Sequence, residues 1–330
     1  MAILKPVAAA YTDLLGAEHR VLTESCGLFD RSERGKLALT GPGAVEFLNG
    51  QVTNEVSDLR EGEGRYAAFL THKGKMLGDL RILARPGAGG GGPELLLDTE
   101  RATLQALFDM IRRFKVGYEV ELHKRTLECS LLSLIGPLAD EVAGTEGLSA
   151  TEHANAPITL EGMQALAIRT DTGVDLLAGA ERLSDLTAAL LARGATAVSE
   201  PAAECLRIER GRPRFGSDLD ETTIPQEAGL NERAVSFTKG CYVGQETVAR
   251  LYHRGRPTRH LRGLRLSAPA ATGEELMFGE RAVGLLGSTA VSPALGPIAL
   301  ALVRREAEPG AFLSVGVNGT TAEIVELPFG

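Results

Sequence analysis

Apolar positions recur along the chain at two periods, and the segments that carry them alternate. Over residues 7–24, Leu14, Leu15, Val21 and Leu22 fall on or near one side of a 3.6-residue spiral, which predicts a helix. Residues 36–40 predict a strand. A short helix through Val45, Phe47 and Leu48 follows, opened by Gly41 and Pro42 and closed by Gly50, the usual order of proline before a helix and glycine after it. Strands are predicted at 65–70 and 78–83, joined by the polar turn His72, Lys73, Gly74 and Lys75. Residues 94–97 predict another strand. Asp98 is then expected to cap a helix that carries Leu104, Leu107, Phe108 and Ile111 at i, i+3, i+4 and i+7. The glycine-rich run 86–93 reads as a hairpin tip, because a phosphate-cradling loop would lead into a helix and carry Lys-Ser or Lys-Thr.

Residues 127–135 and 165–168 predict a second group of strands, separated by a loop with a weak helix at 143–157. Leu183, Leu186 and Leu190 mark a helix that Gly194 ends, and residues 205–209 are a short apolar and charged mix. From 210 to 262 the period disappears. An irregular stretch of that length in a compact chain is functional or disordered, and its content of Ile, Leu, Phe, Tyr and Val argues against disorder. Residues 261–330 read as short strands with frequent turns, as in a small β-barrel. The order strand, helix, strand, strand, helix occurs twice, which points to two related α+β units.

Composition narrows the picture. The chain has 330 residues, which at roughly 150 per domain gives two or three domains. Net charge is −8, which argues against coating nucleic acid through the overall field but not against a local basic groove. Tryptophan is absent and aromatics are 5%, so the core is expected to be Leu, Val, Ile and Ala. Cys26, Cys129, Cys205 and Cys241 are too far apart in sequence for a zinc knuckle or a thioredoxin-type pair, and a disulfide framework is not expected. His72 and His123 show no metal-like spacing, so no metal is expected. Residues 282–303 carry no charge and reach the length of a membrane helix, but Pro293, Pro297, Gly284, Gly287 and Gly296 predict two buried strands instead. No signal peptide is read at the N-terminus. A reducing cytoplasm is the expected compartment, with no membrane partner.

The densest chemical unit is Lys239, Gly240, Cys241, Tyr242, Val243, Gly244, Gln245 and Glu246. A lysine near a thiol favours the thiolate, and glycines let another group approach the backbone. The same residues also suit an inert small cysteine in a tight turn. With Ala249 and Arg250 after it, this run resembles the signature of the YgfZ family of folate-binding proteins, a branch of the glycine cleavage T-protein (aminomethyltransferase) superfamily. Further matches follow in order: Gly27 to Asp30, the Gly41-Pro42 segment, Thr53 to Val56, Arg207 to Pro213, Ile224 to Leu230, and residues 283–304.

The resemblance implies an α+β fold of three domains around a central channel: 1–45 with 126–250, an inserted unit at 46–125, and a β-barrel at 251–330. It implies tetrahydrofolate or a derivative as cofactor. Cys241, Lys239 and Asp79 would be the catalytic groups, and Arg207, Asn54, Tyr66, Gln226 and Tyr242 the folate contacts. By the YgfZ likeness the chain would support iron–sulfur enzymes and their assembly, including enzymes of tRNA modification. Two other activities compete: a tetrahydrofolate-dependent aminomethyltransferase, or a non-enzymatic adaptor for client proteins. Where T-proteins carry adjacent aspartates this chain has Asp79 alone, and where they carry a pterin-gripping glutamate it has Val174, with Asp171 and Asp175 nearby. Arg207 suits a folate contact or an ion pair with Glu204 or Glu209. Arg250, Arg254, Arg256, Arg259, Arg262 and Arg265 read either as a solvated basic face or as a site for a polyglutamate tail, an RNA or a protein partner.

Overall fold

The structure, a computed structural model, describes residues 4–87 and 93–330. Its elements run α1 (Leu4–Glu24), β1 (Gly27–Asp30), β2 (Gly35–Thr40), α2 (Ala44–Asn49), β3 (Gly64–Leu70), β4 (Met76–Arg85), β5 (Glu94–Thr99), α3 (Leu104–Phe114) and β6 (Glu121–Lys124). They continue with β7 (Cys129–Ile135), α4 (Ala139–Ala143), β8 (Asn155–Leu160), β9 (Met163–Arg169), β10 (Gly173–Gly179), α5 (Leu183–Ala192), β11 (Thr196–Ala197), α6 (Glu200–Glu209), α7 (Asn231–Ala234) and α8 (Gln245–Arg254). The last part is all strand: β12 (Arg259–Leu266), β13 (Glu275–Phe278), β14 (Arg281–Ser292), β15 (Gly296–Arg304), β16 (Phe312–Val315) and β17 (Thr320–Val325).

Three sheets result. One has the order β11-β1-β7-β10-β9-β8, the second β3-β4-β5-β2-β6, and the third closes as the barrel β12-β15-β14-β13-β16-β17. The chain leaves the first sheet after β1, builds the whole second sheet from residues 35–124, and re-enters the first sheet at β7 beside β1. Helices cover one face of each α+β sheet. Leu107 and Ile111 of α3 join Leu80, Ile82, Leu95 and Leu97 in one core, and Leu186 and Leu190 of α5 join Leu132, Leu134, Val174 and Leu176 in another. Closing the barrel leaves no free sheet edge there. The uncharged 282–303 stretch supplies all but the first residue of β14 and all but the last of β15, as its prolines and glycines predict. No described helix is long and apolar enough to cross a membrane.

The opposite faces of the two α+β sheets meet each other, and this contact positions the site. Side chains two apart on a strand share a face. Ala38, Leu83 and Leu96 of the second sheet pack on Leu131, Leu166, Ile168 and Leu177 of the first. Along the same faces the residues then turn polar: Arg81 and Asp79 lie two and four positions before Leu83, Asp175 two before Leu177, Asp98 two after Leu96, and Ser133 two after Leu131. The interface is therefore apolar at one end and ionic at the other.

Several expectations are corrected. Asp98 does not cap a helix: it ends the apolar run of β5, buried and ion-paired, and Thr103 stands at the N-cap of α3. Leu14 faces outward while Leu15 and Leu22 of α1 pack on Ala202 and Leu206 of α6. The irregular 210–262 stretch contains α7 and α8, and residues 200–209 form a full helix, α6. The glycine-rich 86–93 run lies mostly outside the described residues, although β4 and β5 on either side pair antiparallel.

Candidate functional site

The ionic end of the sheet interface opens into a cavity of about 200 Å³. Arg34 and Arg81 reach Asp98 from opposite sides, with Arg34 Nε donating to Oδ1 at 2.7 Å and Arg81 Nε to Oδ2 at 2.5 Å. Arg81 also donates to Asp175 Oδ2 at 2.6 Å, and Ser133 Oγ donates to Asp175 Oδ1 at 2.6 Å. Arg34 pairs with Glu100 as well, and Arg31 reaches Glu100 at 3.5 Å. Three arginines thus face three carboxylates. Despite its burial, Asp98 is held well below the ordinary carboxylate range by Arg34 and Arg81.

Asp79 is the carboxylate left over. It sits on the same face of β4 as Arg81, and Tyr66 of neighbouring β3 donates its hydroxyl to Asp79 Oδ2 at 2.9 Å. Burial, helped by the fields of Glu100 and Asp98, pushes the Asp79 pKa up to about 6, against the Tyr66 hydrogen bond and Arg34. A buried acid poised near neutrality in a cavity is what proton transfer requires. Burial and the Asp79 charge raise the Tyr66 pKa well above normal, so the phenol keeps its proton and remains a donor. Arg233 lies over the Tyr66 ring, 5.0 Å from its centroid, and is paired with Glu152.

The cavity gathers only some of the residues singled out in the sequence. Asp79, Tyr66 and Arg207 line it. Arg207 is spent on protein: it donates to Glu204 at 2.5 Å, Asp218 at 2.9 Å and Ser288 Oγ at 2.6 Å, and also to the Arg212 carbonyl. Glu204, not Glu209, is its helical partner; Glu209 holds His19. Asn54 does not line the cavity. Its amide ties the Tyr66 and Arg233 carbonyls at 2.9 and 3.1 Å, so it positions the two residues that do. Gln226 belongs to a second cavity of about 310 Å³ beside the barrel, which shares Arg210, Arg212 and Arg233 with the first. Tyr242 is buried in an apolar cluster with Leu70, Met76 and Val248.

The motif loop lies apart from that cavity. Cys241 is exposed, whereas Cys26 and Cys205 are buried. Gly244 adopts φ +85 as the N-cap of α8, and a Cβ there would meet the Thr71 carbonyl at 2.5 Å, so the loop sits directly on the 71–75 turn. Gln245, Glu246 and Arg250 belong to α8, and Gly240 precedes Cys241 in irregular backbone. Lys239 is not a base beside the thiol. Its ammonium is buried and donates to the carbonyls of Asn49, Val52 and Asn54 at 2.7, 2.9 and 2.7 Å. Burial pulls its pKa down to about 8. Lys239→Met is therefore expected to cost about 2–4 kcal/mol in urea unfolding, because it strands buried carbonyls. Unchanged stability would return Lys239 to a chemical role. Of the arginine run, Arg259 pairs with Glu227 and Arg262 with Glu326, and Arg265 donates to the Gly330 carbonyl. Arg250, Arg254 and Arg256 stay exposed on and after α8.

Sequence reasoning missed Arg34, Arg81, Asp98, Arg233 and His153. For Arg81 and Asp98 the available signal was polar residues two apart inside otherwise apolar strands; Arg34, His153 and Arg233 lie outside the strands and gave no such signal.

Two α+β units and a closed barrel, with an arginine-lined cavity between them, define a T-protein fold. The family model of the GCVT N-terminal domain matches residues 6–239, and that of the glycine cleavage T-protein C-terminal barrel domain matches residues 259–329. The chain belongs to the glycine cleavage T-protein family. An aminomethyltransferase of Rubrobacter xylanophilus is 33% identical over 326 residues, covering 95% of this chain and 85% of that protein. One of Halothermothrix orenii is 28% identical over 337 residues, covering 97% and 92%. The crystal structure of the glycine cleavage system aminomethyltransferase T from Bartonella henselae superposes with a TM-score of 0.84 at 25% identity, covering 96% of this chain and 89% of that one. Aminomethyltransferases of this family use tetrahydrofolate. The residues present fit that group. The cavity offers a tyrosine ring and a protonatable carboxyl, and His153 and Arg214 keep buried nitrogens without a partner among the described residues; Arg210 continues toward the second cavity beside Arg212 and Arg233, which pair with Asp171 and Glu152.

Proposed function

We propose that the chain binds tetrahydrofolate in the cavity between the two α+β sheets and performs a folate-dependent one-carbon transfer of the aminomethyltransferase type. The observation that carries this reading is Asp79, a buried carboxyl poised near neutrality and held by Tyr66. When bound, tetrahydrofolate supplies the nitrogens that take the one-carbon unit. The chain supplies the rest. Asp79 holds or accepts a proton at its carboxylate oxygens, and Tyr66 fixes the orientation of Oδ2. The Arg34–Asp98–Arg81–Asp175 network keeps the wall rigid, so little reorganisation is needed during reaction. The test is tetrahydrofolate-dependent release of ammonia from an aminomethylated lipoyl carrier, run beside calorimetric titration with tetrahydrofolate. Binding with turnover supports the reading; absence of both ends it. Ligand at about 100 times its dissociation constant should add roughly 2.7 kcal/mol of stability.

Two observations together favour a second reading. Cys241 is exposed on a loop pinned by Lys239 and Gly244, away from the cavity, and Val174 stands where T-proteins carry the pterin glutamate. That combination suits a YgfZ-like protein that binds folate and supports iron–sulfur enzymes, including those that modify tRNA, through the thiol. It predicts folate binding without ammonia release. It also predicts that the Cys241→Ala chain will not restore iron–sulfur enzyme activity in cells lacking the protein, whereas the transferase reading leaves Cys241→Ala turnover intact.

A further inference from the structure

His153 stands in the cavity wall without a hydrogen-bond partner among the described residues. Its side chain is 8% exposed, and both ring nitrogens are buried without a hydrogen-bond partner. Its backbone holds φ +69, in the left-handed region that few side-chain-bearing residues other than Asn, Asp and His adopt. An unpartnered buried polar group adds a free-energy cost. The neighbourhood is built to keep the residue there. Gly64 opens β3 against it, and a Cβ at Gly64 would meet the His153 carbonyl at 2.6 Å and its Cβ at 2.7 Å. The ring centroid is 6.3 Å from that of Tyr66, which binds Asp79. Two strands away in the first sheet is Val174: His153 N donates to the Arg169 carbonyl at 2.9 Å, and Arg169 pairs with Val174.

Val174 itself points into the core and offers the cavity no polar group. The nearby carboxylates are already committed, Asp175 to Arg81 and Ser133, and Asp171 to Arg212. His153 is the group with capacity to spare. Burial, with the charges of Arg81 and Arg233, drives its pKa down to about 3, so the imidazole is neutral and carries one donor and one acceptor. Glu152 Oε1 lies 3.7 Å from Nε2, which favours the hydrogen on Nε2 and leaves the Nδ1 lone pair free.

We propose that His153 is the pterin-recognising residue of this cavity, its Nδ1 accepting a hydrogen bond from the amino-pyrimidine edge where a carboxylate is missing. The assignment rests on the folate reading above. A neutral acceptor selects for an N–H donor without demanding a charged partner, so the exocyclic amino group of the ligand becomes a determinant of affinity.

The test is calorimetric titration of the full chain with tetrahydrofolate and with its 2-desamino-2-methyl analogue. Three variants accompany the natural chain: His153→Phe, His153→Asn and His153→Gln. An asparagine side chain places its oxygen near the position of Nδ1 and tolerates positive φ; glutamine reaches the position of Nε2 instead. The natural chain is expected to prefer tetrahydrofolate over the analogue by about tenfold or more. His153→Phe and His153→Gln should lose about tenfold in affinity and all of that preference, while His153→Asn keeps both. The melting temperature of unliganded His153→Asn should not fall, which a merely structural histidine would not allow. Equal binding by all three variants, or no preference in the natural chain, overturns the inference while leaving the folate reading in place. No binding of tetrahydrofolate by the natural chain overturns the folate reading and the inference with it.

Discussion

Asp79→Asn is expected to remove turnover and, at neutral pH, to make the folded chain more stable. The first effect follows from the role of the carboxylate: loss of a positioned proton acceptor lowers rates by about 10²–10⁴. The second follows from linkage. Asp79 has a folded pKa of about 6, above the value of about 3.9 expected for an unfolded chain. Below about pH 4 both states are protonated and the group contributes nothing. As pH rises through the folded pKa, the native state must ionise a carboxyl that burial opposes, and stability falls by an amount on the order of 1–3 kcal/mol. The asparagine never ionises, and its oxygen still accepts from Tyr66. Unfolding midpoints measured at pH 4.5 and pH 7.5 should therefore fall less with pH in Asp79→Asn than in the natural chain. A variant that keeps turnover, or that is less stable at pH 7.5, contradicts this account of the site.

Asp98→Ala should have the opposite effect on stability, and a larger one. Asp98 is 2% exposed and sits between Arg34 and Arg81, so its removal leaves two guanidinium groups facing each other in a dry wall. Breaking a buried pair by removing one partner costs about 3–5 kcal/mol when the remaining charge is uncompensated; Arg34 keeps Glu100 and Arg81 keeps Asp175, which places the expected cost at about 3 kcal/mol. Here the partners are two. The comparison is Asp58→Ala, which removes an exposed partner of Arg65 at 3.4 Å and should change stability by less than about 0.5 kcal/mol. The depressed Asp98 pKa keeps this contribution in place at neutral pH; it is lost only in strong acid, as pH falls through the folded value. Equal urea midpoints for the two variants would show that the network is not what holds the sheets together.

The difference between these two aspartates explains what the sequence could and could not convey. The barrel, the strand hairpins and the two α+β units follow from local patterning, because each element buries one face and shows it in its period. The site breaks that rule. In β4, Asp79 and Arg81 alternate with Leu80 and Ile82, the pattern of a strand with one wet face. Both faces are in fact buried, because a second sheet covers the polar one, and no local signal announces a covering layer. Asp98 at the end of Leu95, Leu96 and Leu97 has the look of a helix cap for the same reason: its partner Arg34 is 64 positions away. Lys239 beside Cys241 suggested thiol chemistry by proximity in sequence, but its acceptors come from residues 49–54. The family resemblance located the fold and singled out Asp79 and Tyr66, which line the cavity. It carried no information on His153, which lies in a stretch that reads as loop.

Arg207 joins parts of the chain that are otherwise separate in sequence: Glu204 on α6, Asp218 in the following loop, and Ser288 on barrel strand β14. The barrel is thus not an exchangeable cassette. A chimera that takes its barrel from a relative inherits a guanidinium with a vacant position unless a hydroxyl or carboxylate arrives at 288 with it. The junction at which domains can be recombined therefore has to carry position 288 and its partners together, wherever the loop into the barrel begins.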